Sequence, residues 1–195
     1  MYFQRGFPSD QNAVAAQLYA DAFQRKFVKL LGSKAKIAEL FELGIDPEFC
    51  FVAIDENENV VGLLGFKIGK EQLITLKLEV FQQVFGKLSG WVRSLAISTI
   101  FHRKPESSDQ LLMDGVAVSA LFRGNGIGSR LFAELIAFAK ENNFKSVRLD
   151  VIDENPRAQA LYKSIGFTPI KHKKVPWPIN ILIGVSGVTT MKLEL

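Results

Sequence analysis

The residues with the means to do chemistry concentrate between Asp114 and Tyr162. Leu111 to Val118 is apolar and rich in β-branched residues, as a buried strand would be. Past it lies Arg123-Gly124-Asn125-Gly126-Ile127-Gly128-Ser129, and then Leu131, Leu135, Phe138 and Ala139 recur at helical spacing. A glycine-rich turn between a strand end and a helix start lets the backbone approach a ligand closely. The first helical N–H groups have no partner within the helix, and the helix dipole favours negative charge beside them. The pattern describes a phosphate cradle, with Arg123 placed to add a charge-assisted hydrogen bond. Asp114 interrupts the apolar strand. A buried carboxylate is costly unless it is hydrogen-bonded or put to use, and alternation puts its side chain on the face of Leu112 and Val116. Structural and functional readings of Asp114 both stand.

Two known phosphate motifs do not fit. A dinucleotide fingerprint needs a third glycine where this chain has Ser129, and a Walker A loop needs G-K-[ST] where it has Gly128-Ser129-Arg130. The order R-x-x-G-x-G over Arg123, Gly126 and Gly128, set after Val116-Ala117-Val118, resembles the acetyl-CoA-binding motif of the GCN5-related N-acetyltransferases (GNAT). A second segment, Asn155-Pro156-Arg157-Ala158-Gln159-Ala160-Leu161-Tyr162-Lys163-Ser164-Ile165-Gly166-Phe167, resembles the same family's N-x-x-A-x-x-L-Y-x-x-x-G-F. The resemblance covers residues 110 to 170 well, 1 to 70 only in general pattern, and 71 to 109 not at all.

The resemblance implies a mixed α/β acyltransferase fold whose central sheet splays open between the strand at 111–118 and the strand at 146–152. It implies direct transfer of an acetyl group from acetyl-CoA, the cosubstrate, to a primary amine of a small molecule or peptide. In that reading the loop from Arg123 through Gly124, Asn125, Gly126, Ile127, Gly128 and Ser129 binds the CoA pyrophosphate. The backbone of Val116, Ala117 and Val118 faces the pantetheine arm, with the Val116 N–H as oxyanion donor, and Asn155 touches the arm. Gly115 sits where the family has a strand bulge, although a glycine there could equally serve packing. Tyr162 is the family's position for the acid that protonates the departing sulfur; a phenol, with an ordinary pKa of about 10, is protonated at neutral pH. Asp114 is the candidate base. A non-catalytic acyl-CoA-binding regulatory module and an acyltransferase for longer acyl chains are the alternatives.

Length and composition agree with one domain over residues 1–195. The chain is 48% hydrophobic and 23% charged, ordinary values for a globular protein. Its net charge of +4 suits an anionic ligand but is too mild to argue for nucleic acid. Cys50, the only cysteine, lies in the apolar run Phe49-Cys50-Phe51-Val52 and reads as a small buried hydrophobe. His102 and His172 lack partners at ligand spacing, so no metal is expected. Without a recognisable signal peptide or transmembrane run, the expected location is cytoplasmic and a membrane contact is not favoured.

The elements that must position these residues follow in order. A strand within Met1 to Phe7 precedes a helix from about Pro8 to Lys29 and a second from Lys34 to Leu43, with Gly44 at its C′ position. A hairpin follows, Phe49 to Ile54 and Val60 to Ile68, about an acidic turn. Residues 71–104 form a helical insert. Leu73, Leu76, Val80, Val84 and Leu88 suggest one helix; Trp91, Leu95, Ile100 and Phe101 suggest another, with breaks at Gly86 and Gly90. The insert reads as packed on the core; a lid over the acceptor pocket, a homodimer contact and a membrane contact through Lys77, Lys87, Arg93, Arg103 and Lys104 are the other readings. Ser146 to Ile152 forms a strand parallel to the central one. Asn155 caps a helix over 156–165 in which Ala158, Leu161 and Ile165 face inward and Tyr162 sits at the edge of that stripe. Phe167 to Lys171 and Thr189 to Leu195 close the sheet, joined by a loop, Ile179 to Val185, too apolar to lie free in water.

Overall fold

Strands buried on both faces read as continuous apolar runs, and two such runs seed the sheet. β2 (Cys50–Ile54) and β3 (Val60–Ile68) pair antiparallel across the Asp55 to Asn59 turn, where the Asp55 carboxylate accepts hydrogen bonds from the N–H groups of Asn57 and Asn59, 2.9 Å each. The computed structural model describes residues 1–100 and 105–195, apart from the side chains of Arg25, Lys26 and Ile100. The other described strands and α-helices are β1 (Tyr2–Arg5), α1 (Asn12–Leu31), α2 (Lys34–Gly44), β4 (Glu71–Gln72), α3 (Leu78–Phe85), α4 (Lys87–Ile100), β5 (Gln110–Val118), α5 (Ile127–Glu141), β6 (Ser146–Ile152), α6 (Pro156–Ile165), β7 (Thr168–Lys174), α7 (Ile179–Ile183) and β8 (Gly187–Glu194).

Among the described residues the sheet has eight strands in the order β1-β2-β3-β5-β6-β8-β7, with β4 against the end of β3. Neighbours are antiparallel except β5 and β6, the parallel pair expected from the strand–helix–strand pattern. Two apolar layers cover the faces. Ala15, Tyr19, Leu31, Leu40 and Phe41 of α1 and α2 pack with Val52, Leu63 and Ala117 on one side. Leu131, Phe132 and Leu135 of α5 pack with Leu64, Phe66, Leu111 and Val147 on the other. Cys50 lies buried in the first layer, its thiol donating to the Pro47 carbonyl oxygen at 3.3 Å, and burial pushes its pKa well up. That is the behaviour of an inert small hydrophobe.

Several glycines act through close approach rather than as breaks. Gly44 ends α2 within the helix, not beyond it. A Cβ there would lie 2.7 Å from the Thr75 carbonyl oxygen, because residues 73–75 cross the helix end and Ile45 bridges Ile74. Gly86, at φ 81°, does separate α3 from α4. Gly90 does not break α4: it is buried against α3, where a Cβ would stand 2.6 Å from the Phe81 carbonyl oxygen.

The insert is helical, but its first half departs from the periodicity. Leu73 and Leu76 belong to an extended segment before α3, and Leu73 is buried against Gly65. Phe81 and Ile97 turn into the core, while Leu88, Trp91, Val92 and Leu95 form an exposed stripe along α4. The Ile100 side chain, Phe101, His102, Arg103 and Lys104 lie outside the described residues. In the closing loop, Ile183 and Val185 join the core, whereas Trp177, Ile181 and Leu182 are exposed. No described helix is long and apolar enough to cross a membrane.

Gly90→Ala is expected to lower unfolding stability by about 1–3 kcal/mol, since overpacking against backbone outweighs alanine's better helix propensity. Urea denaturation of the parent and variant measures the difference.

Candidate functional site

The site begins where two strands part. β5 and β6 pair only at Gln110–Ser146, Leu111–Val147 and Leu112–Arg148; beyond Leu112, no strand among the described residues pairs with the β6 edge of β5. β5 stays paired with β3 up to Val118. The Ser119 N–H donates to the Val61 carbonyl oxygen at 2.9 Å, so Ser119, Ala117 and Gly115 turn their backbone groups toward β3. Val116 and Val118 therefore direct theirs into the gap. The Val118 carbonyl oxygen there accepts a hydrogen bond from Arg123 Nε at 3.1 Å.

A bulge sets the faces of β5. Gly115 pairs with Gly65 and Met113 with Phe66, leaving Asp114 as the extra residue. The expected sharing of one face by Leu112, Asp114 and Val116 holds only for the first two. The bulge reverses the alternation, so Val116 packs toward α5 while Leu112 and Asp114 line a cavity on the α1 face. Gly115 also serves packing: a Cβ would overlap the Phe23 ring and stand 2.7 Å from the Tyr19 hydroxyl oxygen.

At the far end of β5 the glycine loop leads into α5. Gly124 (φ 88°) and Gly126 (φ 73°) adopt left-handed backbone and have open space where a Cβ would go. Gly126 is the N-cap residue, so no side chain caps α5; the loop from Arg123 to Gly126 is exposed, as is Ser129, while Ile127 is buried beneath it. Gly62 lets this helix end sit close to the sheet, since a Cβ there would be 2.8 Å from Ile127. A side chain at Gly128, by contrast, heads for Leu161 of α6 at 3.4 Å rather than into the loop's open space. An uncapped helix start, two left-handed glycines and an adjacent arginine are fit to bind a phosphate.

Asn155 caps α6 as expected, its Oδ1 accepting from the Ala158 N–H at 3.1 Å with Pro156 at the first turn. Tyr162 is not at the edge of the inward stripe but at its centre: it is the buried residue of α6, against Phe132 (ring centroids 5.4 Å) and Phe167 (6.2 Å). Tyr162 and Asp114 thus lie on opposite faces of the sheet, on either side of the opening between β5 and β6.

The cavity on the α1 face measures about 290 Å³. Tyr19, Phe23 and Phe27 of α1, Phe41 of α2 and Phe81 of α3 form its aromatic wall, and Ser94, Ile97 and Ser98 of α4 close another side. The insert therefore packs on the core and walls the cavity at once. Lys67, Asp114, Arg148 and Asp150 supply charge from the sheet. Asp150 accepts a hydrogen bond from the Thr190 hydroxyl at 2.7 Å, and Arg148 reaches Glu106 at 3.2 Å and Asp150 at 4.0 Å. Lys67, Arg148 and Asp150 were not among the sequence candidates. The alternation of Arg148 and Asp150 with buried Val147, Leu149 and Val151 was a legible sign of a charged face.

The family model described as the acetyltransferase (GNAT) family matches residues 15–167. This chain belongs to the GNAT acetyltransferase family. It is 34% identical over 74 residues to L-2,4-diaminobutyric acid acetyltransferase of Vibrio parahaemolyticus, covering 38% of this chain and 41% of that one. It is 34% identical over 56 residues to thialysine N-epsilon-acetyltransferase of Bos taurus, covering 29% and 33%. The matches span less than half the length of these curated relatives. The fold is similar to an N-acetyltransferase from Staphylococcus aureus Mu50 (TM-score 0.66, 17% identity, covering 99% of this chain and 100% of that chain) and to ribosomal-protein-alanine N-acetyltransferase from Brucella melitensis (TM-score 0.59, 17% identity, 100% of both). Residues 71–100, read from the sequence as an insert, contribute α3 and α4 to the cavity wall.

Gly115→Ala is expected to destabilise the fold by about 1–3 kcal/mol through overpacking against α1. The same change in a Phe23→Leu background should cost measurably less, because the two residues touch. A double-mutant denaturation cycle checks both statements.

Proposed function

We propose that residues 1–195 form a single acetyl-CoA-dependent N-acetyltransferase domain acting on a primary amine of a small molecule. One observation carries this reading: β5 and β6 part between a glycine-rich helix start and a cavity holding a carboxylate, with Tyr162 on the other face. The family's general use of acetyl-CoA and the two curated relatives named for amine acetylation support it.

The loop at Gly124 to Ser129 and Arg123 would hold the CoA pyrophosphate, and the open edge at Val116 and Val118, flanking Ala117, would pair with the pantetheine amides. Asn155 would face the same arm through its amide NH2, its oxygen being engaged in the cap. The amine enters from the cavity, and Asp114 takes its proton directly or through water. The neutral nitrogen attacks the thioester carbonyl carbon, and the Val116 N–H stabilises the oxyanion. The C–N bond forms, the C–S bond breaks, the phenol of Tyr162 donates its proton to the departing sulfur, and the second nitrogen proton leaves to solvent as the neutral amide forms. Acid and base approach from opposite faces, so neither has to cross the acyl group.

Thiol release from acetyl-CoA with a panel of amines, paired with the mass of the acetylated product, tests the reading; absence of both with every amine would overturn it. Gly126→Val is expected to abolish CoA binding in calorimetry while the fold persists. Arg123→Ala should weaken binding by about 1–3 kcal/mol, as for a lost charged hydrogen bond. Tyr162→Phe should keep CoA affinity and lose at least about tenfold in the single-turnover rate, the cautious end of general-acid effects. Asp114→Asn should lower the maximal rate, and wild-type turnover in that variant would remove Asp114 from the mechanism.

A further inference from the structure

The sheet floor of the cavity carries its charges in two rows. Lys67, Leu112 and Arg148 lie side by side across β3, β5 and β6, because Lys67 pairs with Leu112 and Leu112 with Arg148. Leu112–Arg148 is also the last pair before the strands part. Two residues further along the diverging strands, past Met113 and Leu149, which also border the cavity, stand Asp114 and Asp150. A cationic row thus stands inside the closed part of the sheet, and an anionic row stands at the opening. Two residues of strand separate the rows, about 6–7 Å. Opposite the floor are the five rings of Tyr19, Phe23, Phe27, Phe41 and Phe81.

We infer that the acceptor is a small amino acid whose reacting amine is remote from its carboxylate, as in a γ-amino or diamino acid. This inference rests on the transferase reading above. The ammonium lies between Asp114 and Asp150, beside the gap where the thioester would be attacked. The carboxylate lies against Lys67 and Arg148, and the short aliphatic stem spans the rows under the aromatic wall, which excludes water. The polarity of the rows fixes the orientation. Reversed, the molecule would set like charges together at both ends and turn its amine away from the gap. The floor is neutral over these four side chains, so a ligand of matched opposite ends can replace interactions within the cluster without leaving a net buried charge. Asp150 acts as a positioning residue: the Thr190 hydroxyl of β8 and Arg148 fix its carboxylate on the cavity floor. Ser94 and Ser98 come from the insert, so α4 contributes to selecting the acceptor.

The test is calorimetric titration of the CoA-saturated full chain with 2,4-diaminobutyrate, 4-aminobutyrate, 2,4-diaminobutyrate methyl ester and 1,3-diaminopropane. The two free acids should bind at least about tenfold more tightly than the ester and the diamine, the size of one charge-assisted hydrogen bond. Lys67→Gln should collapse that ratio toward one while CoA affinity, measured in the same samples, stays at the parent value. Asp150→Asn should weaken all four ligands. Equal binding of free acid and ester by the parent, persistence of the ratio in Lys67→Gln, or no binding by either free acid would overturn the assignment. Thiol release on the same panel separates the two readings. Carboxylate-dependent binding without turnover refutes the transferase and leaves the binding site standing. Turnover indifferent to the carboxylate refutes the acceptor class and leaves the transferase standing.

Discussion

Backbone N–H and C=O groups inside a protein must find partners, and the parting of β5 from β6 removes strand partners from one edge of the central strand. Everything about the site depends on that break. It comes after Leu112–Arg148, leaving Val116 and Val118 with backbone groups directed into a gap. Arg123 answers part of the demand by reaching the Val118 carbonyl, which also pins the glycine loop to the strand end.

The gap works because both layers beside it are held at short range by absent side chains. Gly62 admits Ile127 and the start of α5 to the sheet; Gly128 admits α6; Gly115 admits Tyr19 and Phe23 of α1. The bulge at Asp114 then reverses the alternation of β5. Its carboxylate turns toward α1 and the cavity while Val116 turns toward α5. One extra residue in a strand thus separates the charged cavity floor from the aromatic cluster of Phe132, Tyr162 and Phe167.

The helical segment α3–α4 forms one wall of the cavity. α3 and α4 pack so closely that Gly90 lies on the α3 backbone, a contact that holds Phe81, Ser94, Ile97 and Ser98 as cavity wall rather than as a separate appendage. The outer stripe of α4, Leu88, Trp91, Val92 and Leu95, makes the helix apolar on two sides. Periodicity alone therefore could not say which side faces inward.

Motif chemistry and local periodicity carried much of this protein into view from the sequence alone. The glycine-rich turn before α5, the α6 cap at Asn155, the parallel β5–β6 unit and the two apolar strands of the hairpin are all written in neighbouring residues, because each depends on backbone conformations and spacings that a short window encodes. The roles of Gly44 and Gly90, the extended path of Leu73 and Leu76, and the central position of Tyr162 were decided elsewhere, by what packs across them. The same holds for the cavity on the α1 face. Lys67, Asp114, Arg148 and Asp150 come from three strands, and only the ladder register and the bulge bring them to one floor. No local rule relates Lys67 to Arg148, since their neighbourhood exists only once β5 lies between β3 and β6.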